Sequence, residues 1–264
     1  MKPYTPILKQ YFATKERYPG VLLAMRIGDF YEFYGEDAEI AARVLQIVLT
    51  GRDDGPNGRI PMAGVPVHSA QKYIATLVGK GYKVALCDQV EDPKKARGLV
   101  RREVTRVVTP GTALEEEMLD AGRNNYLASL ASLGECTGLG FLDLSTGEFL
   151  VTQIEGPDSG EKSIQEILRL NPSEILLPEE AEEFFQILRK LTQAAITRFL
   201  PPRLRDARAR LLRQFGTTTL KPFGLETWEA STIAAGTILK YLDENGISAS
   251  HIDRVATYAL TDRM

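Results

Sequence analysis

The sequence predicts an α/β protein built as two domains, a mixed α+β domain followed by a layered α/β one, and three observations carry that prediction. Across residues 1–112 the apolar pattern moves between helical and strand period, in the order helix, strand, strand, helix, helix, strand, strand. Beyond residue 125, three consecutive strand-like runs give way to alternating helices and strands. The charge balance also reverses: residues 1–112 hold 17 Lys and Arg against 12 Asp and Glu, and the remainder 15 against 23. The 264 residues are 44% apolar and 25% charged, which excludes collagenous, low-complexity and wholly disordered chains and leaves each half long enough to bury a core.

In order, Thr5-Pro6 opens the first helix, with Thr as a cap for orphan amides and Pro where no donor is needed. Ile7, Tyr11 and Phe12 follow at helical spacing until Pro19-Gly20 stops it. Residues 21–27 form an apolar run of strand length, Gly28-Asp29 punctuates it, and the aromatic run 30–34 continues as the second arm of a hairpin or a kinked extended segment. Residues 36–49 read as a helix with Ile40, Val44, Leu45 and Val48 on one face. Gly51, Gly55, Pro56, Gly58, Pro61, Gly64 and Pro66 turn residues 50–69 into a long loop in this reading. A helix over 69–78 and strands over 82–90 and 103–108, ended by Pro110-Gly111, complete a first domain placed at 1–113. The acidic run Glu115-Glu116-Glu117 marks its boundary.

The second domain, placed at 123–243, begins with strands over 125–133, 138–144 and 148–154, with Ser145-Thr146-Gly147 as the turn between the last two. A helix over 161–170, a strand over 174–177, a helix over 179–191, a strand over 195–200 and helices after Pro202 follow, ending in a long helix over 225–245. That order resembles the three-layer ribonuclease-H-like fold, which assigns no activity by itself. Residues 247–264 read as the start of a further element.

Cys87 and Cys136 stand apart, and the chain has two His residues, so neither a disulfide framework nor a zinc cluster is expected and the compartment reads as reducing. No apolar run approaches membrane-spanning length, and no signal-peptide core follows Met1, which together predict a soluble, cytoplasmic protein.

The densest basic stretch is Lys94, Lys95, Arg97, Arg101, Arg102 and Arg106, opposed only by Glu103; it fits a solvated loop or a surface for a nucleic-acid or acidic partner. The sharpest local feature is Gly28-Asp29-Phe30-Tyr31-Glu32-Phe33-Tyr34. In a strand, Phe30 and Glu32 project from one face and Tyr31 and Phe33 from the other, so a bare ring stands beside a carboxylate. The pattern alone favours a core stripe with Glu32 at its wet margin. The basic excess argues for function, because a carboxylate is a poor phosphate ligand. Near DNA it would act on a base, accepting from a ring N–H or sharing a proton with a purine nitrogen.

Five blocks then carry a resemblance. Gly28-Asp29-Phe30-Tyr31-Glu32, Ile60-Pro61-Met62-Ala63-Gly64-Val65-Pro66, Gly81-Tyr82-Lys83-Val84-Ala85, Gln89-Val90-Glu91-Asp92-Pro93 and Val107-Val108-Thr109-Pro110-Gly111-Thr112 resemble, in order, the N-terminal signature of the MutS mismatch-recognition family. Phe141-Leu142-Asp143-Leu144-Ser145-Thr146-Gly147-Glu148-Phe149 is similar to that family's connector domain. The resemblance implies a mismatch-recognition domain, a ribonuclease-H-like connector and, over 244–264, the truncated start of the core and lever region.

It further implies that Phe30 and Glu32 are the mismatch-reading pair, that Ile27, Met62, Pro66 and His68 lie against the minor groove, and that Arg52 and Arg102 hold phosphates. Val67, where an aromatic is frequent, and Asp88, where Glu is usual, depart from the family pattern. The implied partners are double-stranded DNA with mismatches or small unpaired loops and, through the connector, MutL; the chain itself is expected to be monomeric. No catalysis and no cofactor are expected here. The family's ATP and Mg²⁺ belong to a C-terminal domain, and the phosphate loop that such chemistry needs is not found, since Gly79-Lys80 runs into Gly81. The rival reading is a metal-dependent ribonuclease-H-like nuclease using Asp143 and Glu148.

Overall fold

The computed structural model describes residues 4–91, 98–113 and 124–260. The acidic run at 115–117 and Lys94, Lys95 and Arg97 lie outside these. The chain divides into two compact units, which meet in sequence between Thr109 and Pro110.

In the first unit, helix α1 (Pro6–Lys15) leads into strands β1 (Leu22–Ile27) and β2 (Phe30–Tyr34), helix α2 (Glu36–Leu45), strands β3 (Thr50–Asp53) and β4 (Arg59–Pro66), helix α3 (Ala70–Gly79) and strands β5 (Val84–Gln89) and β6 (Arg102–Val108). The six strands form one sheet in the order β3-β4-β2-β1-β5-β6, with β1 and β5 parallel and every other neighbouring pair antiparallel. Leu8 and Tyr11 of α1 cover one face over Leu23, Met25, Tyr34, Ala85 and Cys87. Ala38, Ala41, Ile74 and Leu77 of α2 and α3 cover the other over Ala24, Tyr31, Phe33 and Val65.

Three expectations are corrected here. Residues 50–69 are not a loop: β3 and β4 pair from Thr50↔Met62 to Asp53↔Arg59. The prolines are accommodated because Pro66 ends β4, while Pro61 lies past the last pair with β2 and its carbonyl accepts Gly35 N–H at 2.9 Å. Helix α2 stops at Leu45, because Gln46 turns left-handed (φ 55°), and Val48 and Leu49 are left exposed. Thr5 gives no side-chain cap; its N–H donates instead to Asp54 Oδ1 at 2.7 Å.

The second unit runs β7 (Tyr126–Leu133), β8 (Cys136–Asp143), β9 (Glu148–Glu155), α4 (Ser159–Leu170), β10 (Glu174–Leu177), α5 (Glu182–Leu191), β11 (Ala195–Arg198), α6 (Leu204–Gln214), α7 (Glu229–Glu244) and β12 (Ala256–Thr257). The sheet order is β11-β10-β7-β8-β9-β12, so the first five strands follow the ribonuclease-H-like arrangement and β12 extends the sheet beside β9. Helices α4 and α5 pack on one face through Ile167 and Leu188, and α6 and α7 on the other through Leu211, Ile238 and Leu242.

Glu166 of α4 is buried and accepts from Arg169 Nε and Nη2 (2.8 and 2.6 Å) and from Tyr258 Oη (2.6 Å). Burial pushes its pKa up, but these donors outweigh burial and hold it below the ordinary carboxylate value. Its stabilising contribution is therefore complete above the unfolded carboxyl's pKa of about 4.3 and is lost as pH falls through the folded value. Thermal melts at pH 7 and at pH 3 are expected to show a smaller acid-induced drop in Glu166→Gln than in the parent; equal drops refute the assignment.

Candidate functional site

The β1–β2 hairpin turns on two residues, with Gly28 at φ 60° in the first turn position, where a side chain would be strained. Pairing then fixes which side chains share a face. Ile27 lies opposite Phe30, Phe30 opposite Pro66, Glu32 opposite Gly64 and Tyr34 opposite Met62, so Ile27, Phe30, Glu32, Met62 and Pro66 share the face that α1 covers elsewhere.

At the hairpin end, Phe30 is 46% exposed, with Ile27 and Pro66 half-buried beside it; Met62, also half-buried, lies farther along the same face opposite Tyr34. Gly64 is the bare floor between the two leading residues: a Cβ there would lie 3.6 Å from Phe30 Cδ1 and 3.7 Å from Glu32 Cγ. Arg52 reaches in from β3. Its Nη1 donates to Glu32 Oε2 at 3.1 Å and to Tyr34 Oη at 2.6 Å, and Tyr34 Oη donates to the same Oε2. Burial, then the hydrogen bond to Glu32 and its charge, push the Tyr34 phenol up, so it remains a donor. The arrangement is an exposed ring beside a half-buried carboxylate, with a cation at the rim.

Two other candidates lie elsewhere. Arg102 is 6% exposed, and its guanidinium donates inward to Arg26 O (2.6 Å), Val100 O (2.8 Å) and Gln10 Oε1 (3.0 Å), so in this conformation it braces the end of β1. His68 is exposed, but it lines a cleft with Tyr31, Ile74 and Arg106 on the opposite face of the sheet. Sequence reasoning missed Gly64 and the Tyr34 hydroxyl. Tyr34 was legible in principle, standing two residues from Glu32 on one strand face.

Among the described residues, the acidic side chains of the second unit are engaged locally rather than gathered around a metal site. Asp143 Oδ1 accepts from Ser145 N, Ser145 Oγ and Thr146 N at 2.8, 2.6 and 3.3 Å, and its Oδ2 from Asn125 N at 3.0 Å. Glu148 accepts from Tyr126 Oη and Asn124 Nδ2, and the buried Glu174 from Gly111 N, Thr197 and Tyr241. Among the described residues no three His, Cys, Asp or Glu side chains could together hold a metal ion. With these oxygens engaged in turns and packing, the nuclease reading is not favoured. Among the described residues, no helix is long and apolar enough to cross a membrane.

The fold and site together define a two-domain module that presents a ring and a carboxylate from a sheet face. Comparison with known proteins gives it a lineage. Residues 5–117 match the family model of MutS domain I and residues 125–252 that of MutS domain II, so the chain belongs to the MutS family and corresponds to its N-terminal domains. It is 44% identical to the DNA mismatch repair protein MutS of Syntrophomonas wolfei, over 98% of this chain and 31% of that protein. It is 47% identical to that of Symbiobacterium thermophilum, over 98% and 30%, and 44% identical to that of Halothermothrix orenii, over 100% and 30%. The chain thus spans about three-tenths of the length of these curated relatives.

Proposed function

We propose that this chain is the mismatch-sensing and connector portion of a DNA repair protein, and that it tests the stiffness of a duplex from the minor groove with Phe30 and Glu32. The observation that carries the reading is the exposure of Phe30 beside Glu32 on the face left open past α1. The minor groove offers a degenerate hydrogen-bond code, so a sensor placed there gains little from sequence and much from deformability. A Phe wedge pays an unstacking cost of a few kcal/mol. Stacking of the ring on a base offsets about 1–3 kcal/mol of it. A mispaired base unstacks more cheaply than a paired one, and Glu32 then bonds the displaced base. Ile27 and Pro66 flank the wedge, and Met62 lies farther along the same face. The basic excess of the first half supplies salt-dependent affinity without discrimination, while Arg52 at the rim is bonded to Glu32 and Tyr34.

On this proposal the module binds without catalysing; ATP and Mg²⁺ are handled by another domain of the family, and the connector serves as the surface for MutL. The chain alone is expected to be a monomer with weak DNA affinity. Fluorescence-anisotropy titrations with matched and mismatched duplexes test the reading: Phe30→Ala is expected to abolish the preference for mismatched DNA while weak binding persists. Equal discrimination by parent and variant refutes it.

A further inference from the structure

Glu32 does not stand free beside Phe30. Its Oε2 accepts from both Tyr34 Oη and Arg52 Nη1, whereas its Oε1 has no hydrogen-bond partner among the described residues. Tyr34 is 1% exposed. Its ring packs edge-on against Tyr11, with centroids 4.9 Å apart, and sits in the cluster formed by Leu8, Met25 and Cys87. The phenol is therefore anchored in the core at one end and bonded to the carboxylate at the other. Arg52 adds a second hold, since one of its nitrogens bridges Tyr34 Oη and Glu32 Oε2. Glutamate side chains have three rotatable bonds, and freezing them on binding costs affinity. Here the core does that freezing beforehand.

We propose that Tyr34 is the positioning residue of the reading pair. Assisted by Arg52, it fixes Glu32 before DNA arrives and reserves Oε1 to accept from the unpaired N–H of a displaced base. The inference rests on the base-reading role of Glu32 proposed above and adds what makes that role selective. A chain with Phe in place of Tyr34 keeps the ring and its packing but leaves the carboxylate held by Arg52 alone.

A double-mutant cycle on the 264-residue chain tests it, with Tyr34→Phe, Glu32→Ala and the double variant titrated against a matched duplex and the same duplex carrying one unpaired thymine. The readout is the ratio of the two affinities, with circular-dichroism melts confirming that each variant folds. Loss of a hydrogen bond to a charged group leads us to expect a drop in that ratio of about tenfold or more in Tyr34→Phe, and no further drop when Glu32 is already Ala. Should Tyr34→Phe fail to fold, Arg52→Gln, altered at a part-exposed side chain, is expected to give the same pattern. Equal losses with and without Glu32 would mean that Tyr34 acts only through packing, and a ratio unchanged by Tyr34→Phe while Glu32→Ala lowers it would overturn the inference alone. Indifference to Glu32→Ala would overturn the base-reading role and the inference with it.

Discussion

Asp37→Ala is expected to lower the melting temperature of the first unit by more than about 10 °C and to take mismatch preference with it. Asp37 is 4% exposed at the first turn of α2 and joins three elements. Its Oδ2 accepts from Leu23 N–H of β1 at 2.9 Å and Tyr11 Oη of α1 at 3.1 Å, and its Oδ1 accepts from Lys15 Nζ at 2.7 Å. Removing the carboxylate leaves the buried Leu23 amide without an acceptor and takes from the Tyr11 phenol and the Lys15 ammonium one of two acceptors each, with Leu23 O and Val21 O remaining. Burial, the largest of the causes that hold the Tyr11 phenol well above its ordinary pKa, persists without Asp37, so the phenol does not ionise to compensate. Breaking a buried pair of this kind costs about 3–5 kcal/mol, a large share of the 5–15 kcal/mol by which a domain is stable. Because Leu23 lies on the strand that ends at Ile27 and the Gly28 turn, the loss reaches Phe30 through the hairpin. Asp37→Asn keeps one acceptor oxygen and is expected to fall between parent and Ala variant in differential scanning calorimetry. A shift below about 2 °C for Asp37→Ala would show that α1 is seated by its apolar contacts alone.

How much of this was legible in the sequence depended on the range over which each feature is decided. The common face of Phe30 and Glu32 follows from strand period alone, and the pairing of Ile27 with Phe30 bears it out. The three strands from Tyr126 to Glu155 were equally plain, since each is a long apolar run ended by a turn. Strands β3 and β4 were hidden because Gly51, Pro61, Gly64 and Pro66 are loop residues by composition, and only their partners across the sheet make them a strand. Arg102 and His68 lie outside the five blocks and were placed only by the resemblance, yet one carbonyl that Arg102 bonds, Arg26 O, is 76 residues away and the cleft of His68 is on the far face. Local sequence carries no trace of either. The Tyr34 hydroxyl was read as part of an aromatic stripe, because a ring's burial is visible in a pattern and the destination of its oxygen is not.

Gly138→Ala is expected to be the most destabilising single-atom-scale change in the second unit, costing about 3 kcal/mol or more. A Cβ on Gly138 would lie 2.2 Å from both Ala230 C and Ser231 N and 2.5 Å from Ala230 O, all backbone atoms at the start of α7. A rotamer change relieves none of these contacts; the helix itself must lift. That movement would loosen the Ser129 Oγ bond to Ala234 O (2.7 Å) and the Ser231 Oγ bond to Thr152 O (2.7 Å), which seat α7 on β7 and β9. It is also opposed from behind, because a Cβ at Gly236 would already lie 2.5 Å from Ala207 Cβ of α6, so the two helices have no slack between them. Gly140, two residues along β8, provides the comparison. Its added Cβ would first meet Ile238 Cδ1, a side-chain tip able to give way, and Ser129 Oγ, both at 3.2 Å, with the nearest backbone atom at 3.5 Å, so Gly140→Ala is expected to cost about 1 kcal/mol. The two substitutions add the same methyl group to the same strand and face. A urea titration in which Gly138→Ala loses at least twice the stability of Gly140→Ala therefore measures the closeness of helix to sheet rather than a general intolerance of alanine, and equal losses would rule that closeness out.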